Sequence, residues 1–211
     1  CADLIGSFGF AVHTWTLKII LPIGVSFYAF HGLSYMIDVY KKKISAEKNF
    51  IEYALFVSYF PLLVAGPIER ATHLLPQVKK ARIFNYEQAA NGVRQILWGL
   101  FKKMVIADNC APIVNEIFGN ADQEPASRLV IGVVLFAFQI YGDFSGYSDI
   151  ALGVSRLFGM ELLKNFAFPY FSRDIAEFWR RWHISLSSWF RDYLYFPLGG
   201  SRGGMWMKIR N

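Results

Sequence analysis

Long apolar runs separated by short basic clusters set the rhythm of this chain. Residues 17 to 37, "LKIILPIGVSFYAFHGLSYMI", supply about 20 mostly apolar positions, the length that crosses a hydrocarbon core of roughly 30 Å. The run predicts a transmembrane helix with Pro22 near its start and His31 as its one readily ionisable group besides Lys18 at the edge. A buried imidazole satisfied by a neighbouring helix is the preferred reading of His31, with a functional role as the alternative. Lys41, Lys42, Lys43 and Lys48 follow and mark a cytoplasmic loop, so this helix runs inward.

The second run, residues 50 to 69, is marginal in length and carries Glu52 near its start and Pro61 inside. The next stretch, with Arg70, Lys79, Lys80, Arg82 and Arg94, also reads as cytoplasmic. A simple crossing cannot separate two cytoplasmic loops, and a broken or re-entrant helix resolves the conflict. Residues 86 to 118 have helical periodicity. Lys102 and Lys103 interrupt it, predicting an interfacial first half with snorkelling lysine stems and a short apolar second half broken at Pro112. "GNADQEPAS" reads as a polar extracytoplasmic loop.

The longest apolar segment, residues 128 to 160, repeats Gly142, Asp149 and Arg156 every seven positions, with Ser145, Gly146 and Gly153 on the same helical face. A charge at membrane depth costs at least about 2.5 kcal/mol on insertion scales, so Asp143 and Asp149 are expected to face protein, water or a cation. The G-x-x-x-G spacing of Gly142 and Gly146 offers a second account, close helix packing. Packing explains the glycines and site-lining explains the carboxylates; both stand at this stage.

In residues 176 to 200, "AEFWRRWHISLSSWFRDYLYFPLGG", Trp179, Trp182, Leu186, Trp189 and Tyr193 advance in steps of three and four, predicting a continuous apolar stripe on one helix. Arg180, His183, Ser187 and Arg191 share one adjacent face, and Arg181, Ser185, Ser188 and Asp192 another. An interfacial anchor accounts for the aromatic seam. It does not account for a histidine set among hydroxyls and arginines: a neutral imidazole accepts a proton from an attacking hydroxyl, and arginine forks suit anionic groups. The trailing "PLGGSRGG" reads as a flexible loop whose amides suit an anion.

Composition supports the membrane reading: 54% hydrophobic and 18% aromatic residues, with a mean hydropathy of +0.28. The net charge of +6 comes in loop clusters, which points to anionic lipid headgroups and away from nucleic acid. Cys1 and Cys110 have no C-x-x-C spacing, and His13, His31, His73 and His183 lie far apart, so no metal site is expected. Serine-hydrolase, nucleotide-phosphate and dinucleotide motifs are missing as well. The opening "CADLIGSFGF" has neither an initiating Met nor a signal peptide, and with the abrupt end at Asn211 suggests one internal domain piece, residues 1 to 211, truncated at both ends.

"AGPIERATHLLPQ", "YGDFSGYSDIALGVSRLFG" and "FWRRWHISLSSWFRDYLYFPLGGSRGG", in this order, resemble the membrane-bound O-acyltransferase family in its bacterial polysaccharide branch, over about residues 20 to 211. The resemblance implies an all-α, multi-pass inner-membrane fold with interfacial and re-entrant helices around a channel. Through it, an acyl group passes from a cytoplasmic thioester donor, acetyl-CoA or another acyl thioester, to an extracytoplasmic hydroxyl on a polysaccharide or partner protein. No bound cofactor is implied. Polysaccharide acetylation proteins outside the membrane are the implied partners. His183 matches one of two polar positions associated with catalysis in the family; the second, a histidine in a later helix, has no match up to Asn211, so the piece alone is expected to be inactive. Arg180, Arg181, Trp182 and Ser185 belong to the same motif and are expected to line the site, with Asp143 and Asp149. A transporter or channel with Asp143, Asp149 and Arg156 along its path is the competing expectation, and a non-catalytic scaffold that recruits an acyltransferase is a third.

Overall fold

A computed structural model describes residues 24–201 and Gly204. Cys1, His13, Lys18, Pro22, the first part of the 17 to 37 run, and most of the chain after Ser201 lie outside the described residues. Within them the chain is helical and has no strand.

Helix α1, Val25–Tyr40, starts after Gly24 (φ 81°) and buries a polar face of His31, Ser34 and Asp38. His31 is enclosed, but no neighbouring helix satisfies it: its Nε2 accepts the Glu69 N–H at 3.1 Å from a non-helical segment, and its buried Nδ1 has no hydrogen-bond partner. Helix α2, Phe50–Val57, opens at Asn49, whose side chain accepts the Ile51 N–H. Eight residues rise about 12 Å, far short of the core thickness. A 3₁₀ turn at Phe60–Leu62 follows, with Pro61 at its start, so the 50 to 69 run is broken, as the two basic flanks require. Helix α3, Ala71–Lys79, covers it. Phe56, Tyr59, Leu62, Leu74 and Leu75 form a core there with Leu152, Met160 and Leu162.

Two long antiparallel rods carry the rest. Helix α4, Tyr86–Leu100, is capped by Asn85, passes into a π-helical segment at Phe101–Ala107 and continues as α5, Asp108–Gly119. The rod is about 50 Å long, and helix α6, Ala126–Leu157, returns along it. Among the described residues α6 is the one regular helix long and apolar enough to cross a membrane. Two expectations are corrected. Pro112 lies inside α5 without breaking it; the irregularity is the wider π turn upstream. That turn places Lys102 inward, only 7% exposed, against Asp149 and Ser145, so it does not snorkel to headgroups. The glycines of the α6 face explain the closeness. A Cβ on Gly146 would sit 2.8 Å from the Gly99 carbonyl oxygen, and one on Gly153 2.5 Å from that of Gly92. Both contacts are backbone on backbone.

After Leu157 the chain turns back. Gln77 accepts the Glu161 N–H near the α6 C-terminus, Asn165 reaches Ser148, and the Tyr170 hydroxyl donates to the Ala137 carbonyl. Ala137 is about 30 Å up the α6 axis from Leu157. Residues 161 to 170 therefore climb α6 largely as extended chain, with a 3₁₀ turn at Pro169–Phe171. Leu162, Asn165 and Pro169 of this stretch are buried, while Lys164, Ala167 and Phe168 stay exposed. Helix α7, Ile175–Arg181, and helix α8, Ile184–Phe190, then lead through a π turn at Arg191–Tyr195 back to α1, where the Tyr193 hydroxyl donates to Asp38 at 2.6 Å. The continuous stripe predicted over 179 to 193 is corrected here: the helix breaks at Trp182 and His183.

Candidate active site

The break defines the site. Trp182 is extended and His183 takes φ 44°, ψ 53°, a left-handed conformation that costs a residue with a Cβ about 1–2 kcal/mol. Asp174 caps α7 by accepting the Glu177 N–H at 2.7 Å, and Glu177 in turn accepts from Arg173 N–H and from Arg181. These bonds fix the approach to the turn. Beyond it, α8 is anchored through Ser185, whose hydroxyl donates to Asn165 Oδ1 at 2.5 Å and accepts the Ile68 N–H at 2.9 Å.

The three motifs meet here. Ala65, Ile68 and Arg70 come from the first, Ser148 from the second, and Ser185, Ser188 and Asp192 from the third. Ser148 donates to the Ala65 carbonyl and accepts from Asn165 Nδ2, while Arg70 donates to Ser188 Oγ at 3.2 Å and to Asp192 at 3.0 Å. Arg70 also lies over the Tyr193 ring. Positions more than a hundred residues apart are thereby locked into one polar junction.

His183 is half-buried, its ring edge-on to Phe144 at 4.7 Å. Its Nε2 is shielded from solvent and has no hydrogen-bond partner. Trp182 stands beside it in a cluster with Tyr141, Phe144, Phe166, Tyr170 and Phe178. On the far side of this aromatic wall lies a cavity of about 270 Å³ of mixed lining, with Gln95, Lys102, Ser145, Asp149 and Asn165 beside Trp98 and Leu152.

The predicted site residues therefore separate. Asp149 lines the cavity, bonded to Lys102 and to Gln95 Nε2 at 2.9 Å. Asp143 does not: it pairs with Lys103 at 2.7 Å on an exposed face. Ser185 is a buried brace rather than a free wall residue, because both functions of its hydroxyl are taken. Arg181 is bound to Glu177 at 2.5 Å, which removes it as a free anion receptor, whereas Arg180 is exposed. His183 and Trp182 adjoin the cavity's aromatic wall without lining the cavity itself.

Asn165, Glu69 and Asp38 escaped the sequence reading as site residues, and Lys102 entered it as an interfacial lysine. Glu69 is fully buried, accepting the Leu163 N–H at 2.5 Å and bonded to His73 Nδ1 at 2.7 Å, a bond that raises the His73 pKa. Each is one polar residue in a segment read for its apolar or basic character; only Lys102, in step with the Gly92 and Gly99 face, carried a periodic signal. Among the described residues no three His, Cys, Asp or Glu side chains gather as metal ligands would.

Among the described residues the hairpin holds one helix long and apolar enough to cross a membrane, and the three motifs meet beside the His183 turn. The chain belongs to the membrane-bound O-acyltransferase family, whose sequence model matches residues 41–211. It is 44% identical over 99% of its length to the probable alginate O-acetylase of Azotobacter vinelandii, covering 41% of that protein. It is 38% identical to the peptidoglycan O-acetyltransferase of Helicobacter pylori over 90% of this chain and 41% of that one. A teichoic acid D-alanyltransferase of Streptococcus thermophilus is 31% identical over 83% of this chain and 44% of its own. The chain spans about two fifths of the length of these curated relatives.

Proposed function

We propose that this chain forms part of a bacterial inner-membrane O-acetyltransferase, with His183 as the proton acceptor for the attacking hydroxyl. Within the family, the observation that carries this reading is the His183 turn. An imidazole is held in a costly backbone conformation at the junction of three distant motifs, with Nε2 shielded and free of any partner. The hydroxyl of a polysaccharide, or of a partner protein that hands the group on, gives its proton to His183. Its oxygen attacks the thioester carbonyl, and the tetrahedral intermediate expels the thiolate, which takes up a proton. Acetyl-CoA is the first candidate donor and another acyl thioester the second. The acceptor class follows the relatives named for alginate and peptidoglycan acetylation. Extracytoplasmic polysaccharide acetylation proteins are the expected partners.

Transport has less support, since the charges that suggested a path are matched: Asp149 with Lys102, Asp143 with Lys103, and Arg156 with Gln95 and Glu161. The test is transfer of a radiolabelled acetyl group from acetyl-CoA in membranes carrying the intact protein, with and without candidate partner proteins. Label is expected in the polymer or on a partner's hydroxyl. Failure of every acyl thioester to label either acceptor would overturn the proposal.

A further inference from the structure

We infer that Asn165 is the positioning residue of the His183 turn, an inference that rests on the reading of His183 as the base. Asn165 is 1% exposed and sits on the extended arm beside α6. Its backbone carbonyl accepts the Ile184 N–H at 2.9 Å, and two residues on, Ala167 N–H donates to the Arg181 carbonyl at 3.0 Å. Those two bonds pinch the chain on either side of Trp182 and His183, and the pinched pair must bulge, which sends His183 into the left-handed region.

The side chain completes the hold. Nδ2 donates to Ser148 Oγ at 3.0 Å, and Oδ1 accepts the Ser185 hydroxyl at 2.5 Å. Ser148 lies one turn along α6 from Phe144, against which the His183 ring packs. One amide therefore sets the separation between the histidine turn and the helix wall that orients its ring. Asn165 also lines the cavity behind that wall, so the residue that holds the base faces that space as well.

The inference is tested in the intact protein in its membrane by measuring kcat and KM for the acyl donor together with protein abundance. Asn165→Ala is expected to lower kcat by roughly 10²-fold, the penalty of a misplaced group, with KM and abundance unchanged. Ser148→Ala, which cuts the Asn165 anchor to α6 together with the long 3.4 Å bond to the Ala65 carbonyl, is expected to lower kcat less, again without change in KM. Added to His183→Ala, Asn165→Ala should slow the residual rate no further, because the residue acts through the histidine. An unchanged kcat in Asn165→Ala contradicts the inference, as does an additive loss in the double variant. If Asn165→Ala fails to reach the membrane, Ser148→Ala decides by the same criteria. Full activity in His183→Ala removes the functional reading itself, whereas an inactive His183→Ala beside a normal Asn165→Ala removes only this inference.

Discussion

Lys102 and Asp149 meet across the α4–α6 hairpin with side chains 8% and 25% exposed, and Ser145 at 3.0 Å shares the ammonium. A carboxylate at membrane depth is tolerable only with such a partner. Replacing Lys102 alone by Met leaves that charge uncompensated and is expected to cost about 3 kcal/mol of stability. Joining it with Asp149→Leu should return most of the loss. Thermal unfolding in detergent measures both, and equal destabilisation by the single and double variants would contradict the pairing. The alternation of small and charged residues on α6 left protein, water or a cation open as what Asp149 faces; it did not single out Lys102, which read as one of two interfacial lysines until the π turn carried it inward. His183 was legible from its neighbours. Asn165 was not, since a lone asparagine in "LLKNFAF" has no pattern until the chain climbs back along α6.

At the scale of elements, apolar length and glycine spacing carried most of the information. Gly146 and Gly153 face Gly99 and Gly92 in antiparallel order, which is why a seven-residue period recurs on both rods. On α6 the glycines pack against the facing rod, while of the two carboxylates Asp149 lines the cavity and Asp143 lies on an exposed face. Gly146→Ala is expected to destabilise the hairpin by about 1–3 kcal/mol, because its methyl group meets a carbonyl oxygen at 2.8 Å. Gly119→Ala, whose methyl group meets nothing within 4 Å, should be neutral or slightly stabilising. Thermal unfolding of the two variants side by side checks the contrast, and equal effects would contradict the close approach. The break in the 50 to 69 run was legible as one of the readings that its two basic flanks and Pro61 offered, and the helix does end at Val57. The helix break at His183 was not: the three- and four-residue steps of the tryptophans continue across it, and the pinch by residues 165 to 167 is a tertiary effect that no local pattern carries.

The whole described chain is a membrane-length hairpin with a broken helical layer on its inner end and a re-entrant arm climbing its side. The two basic flanks of the 50 to 69 run predict residues 48 and 82 on one face of the membrane and residue 122 on the other. In intact protein lacking Cys1 and Cys110, Lys48→Cys and Arg82→Cys should react with an impermeant thiol reagent only when the cytoplasmic face is open, and Asp122→Cys from outside. Labelling of positions 48 and 82 from opposite faces would contradict the broken run. The central claim is narrower: three distant motifs converge so that one imidazole can take a proton during acyl transfer. The most direct measurement is the acetyl-transfer rate of the intact His183→Ala protein in membranes, normalised to its abundance. The account predicts loss of at least about 10²-fold with normal abundance; transfer at the wild-type rate would contradict it.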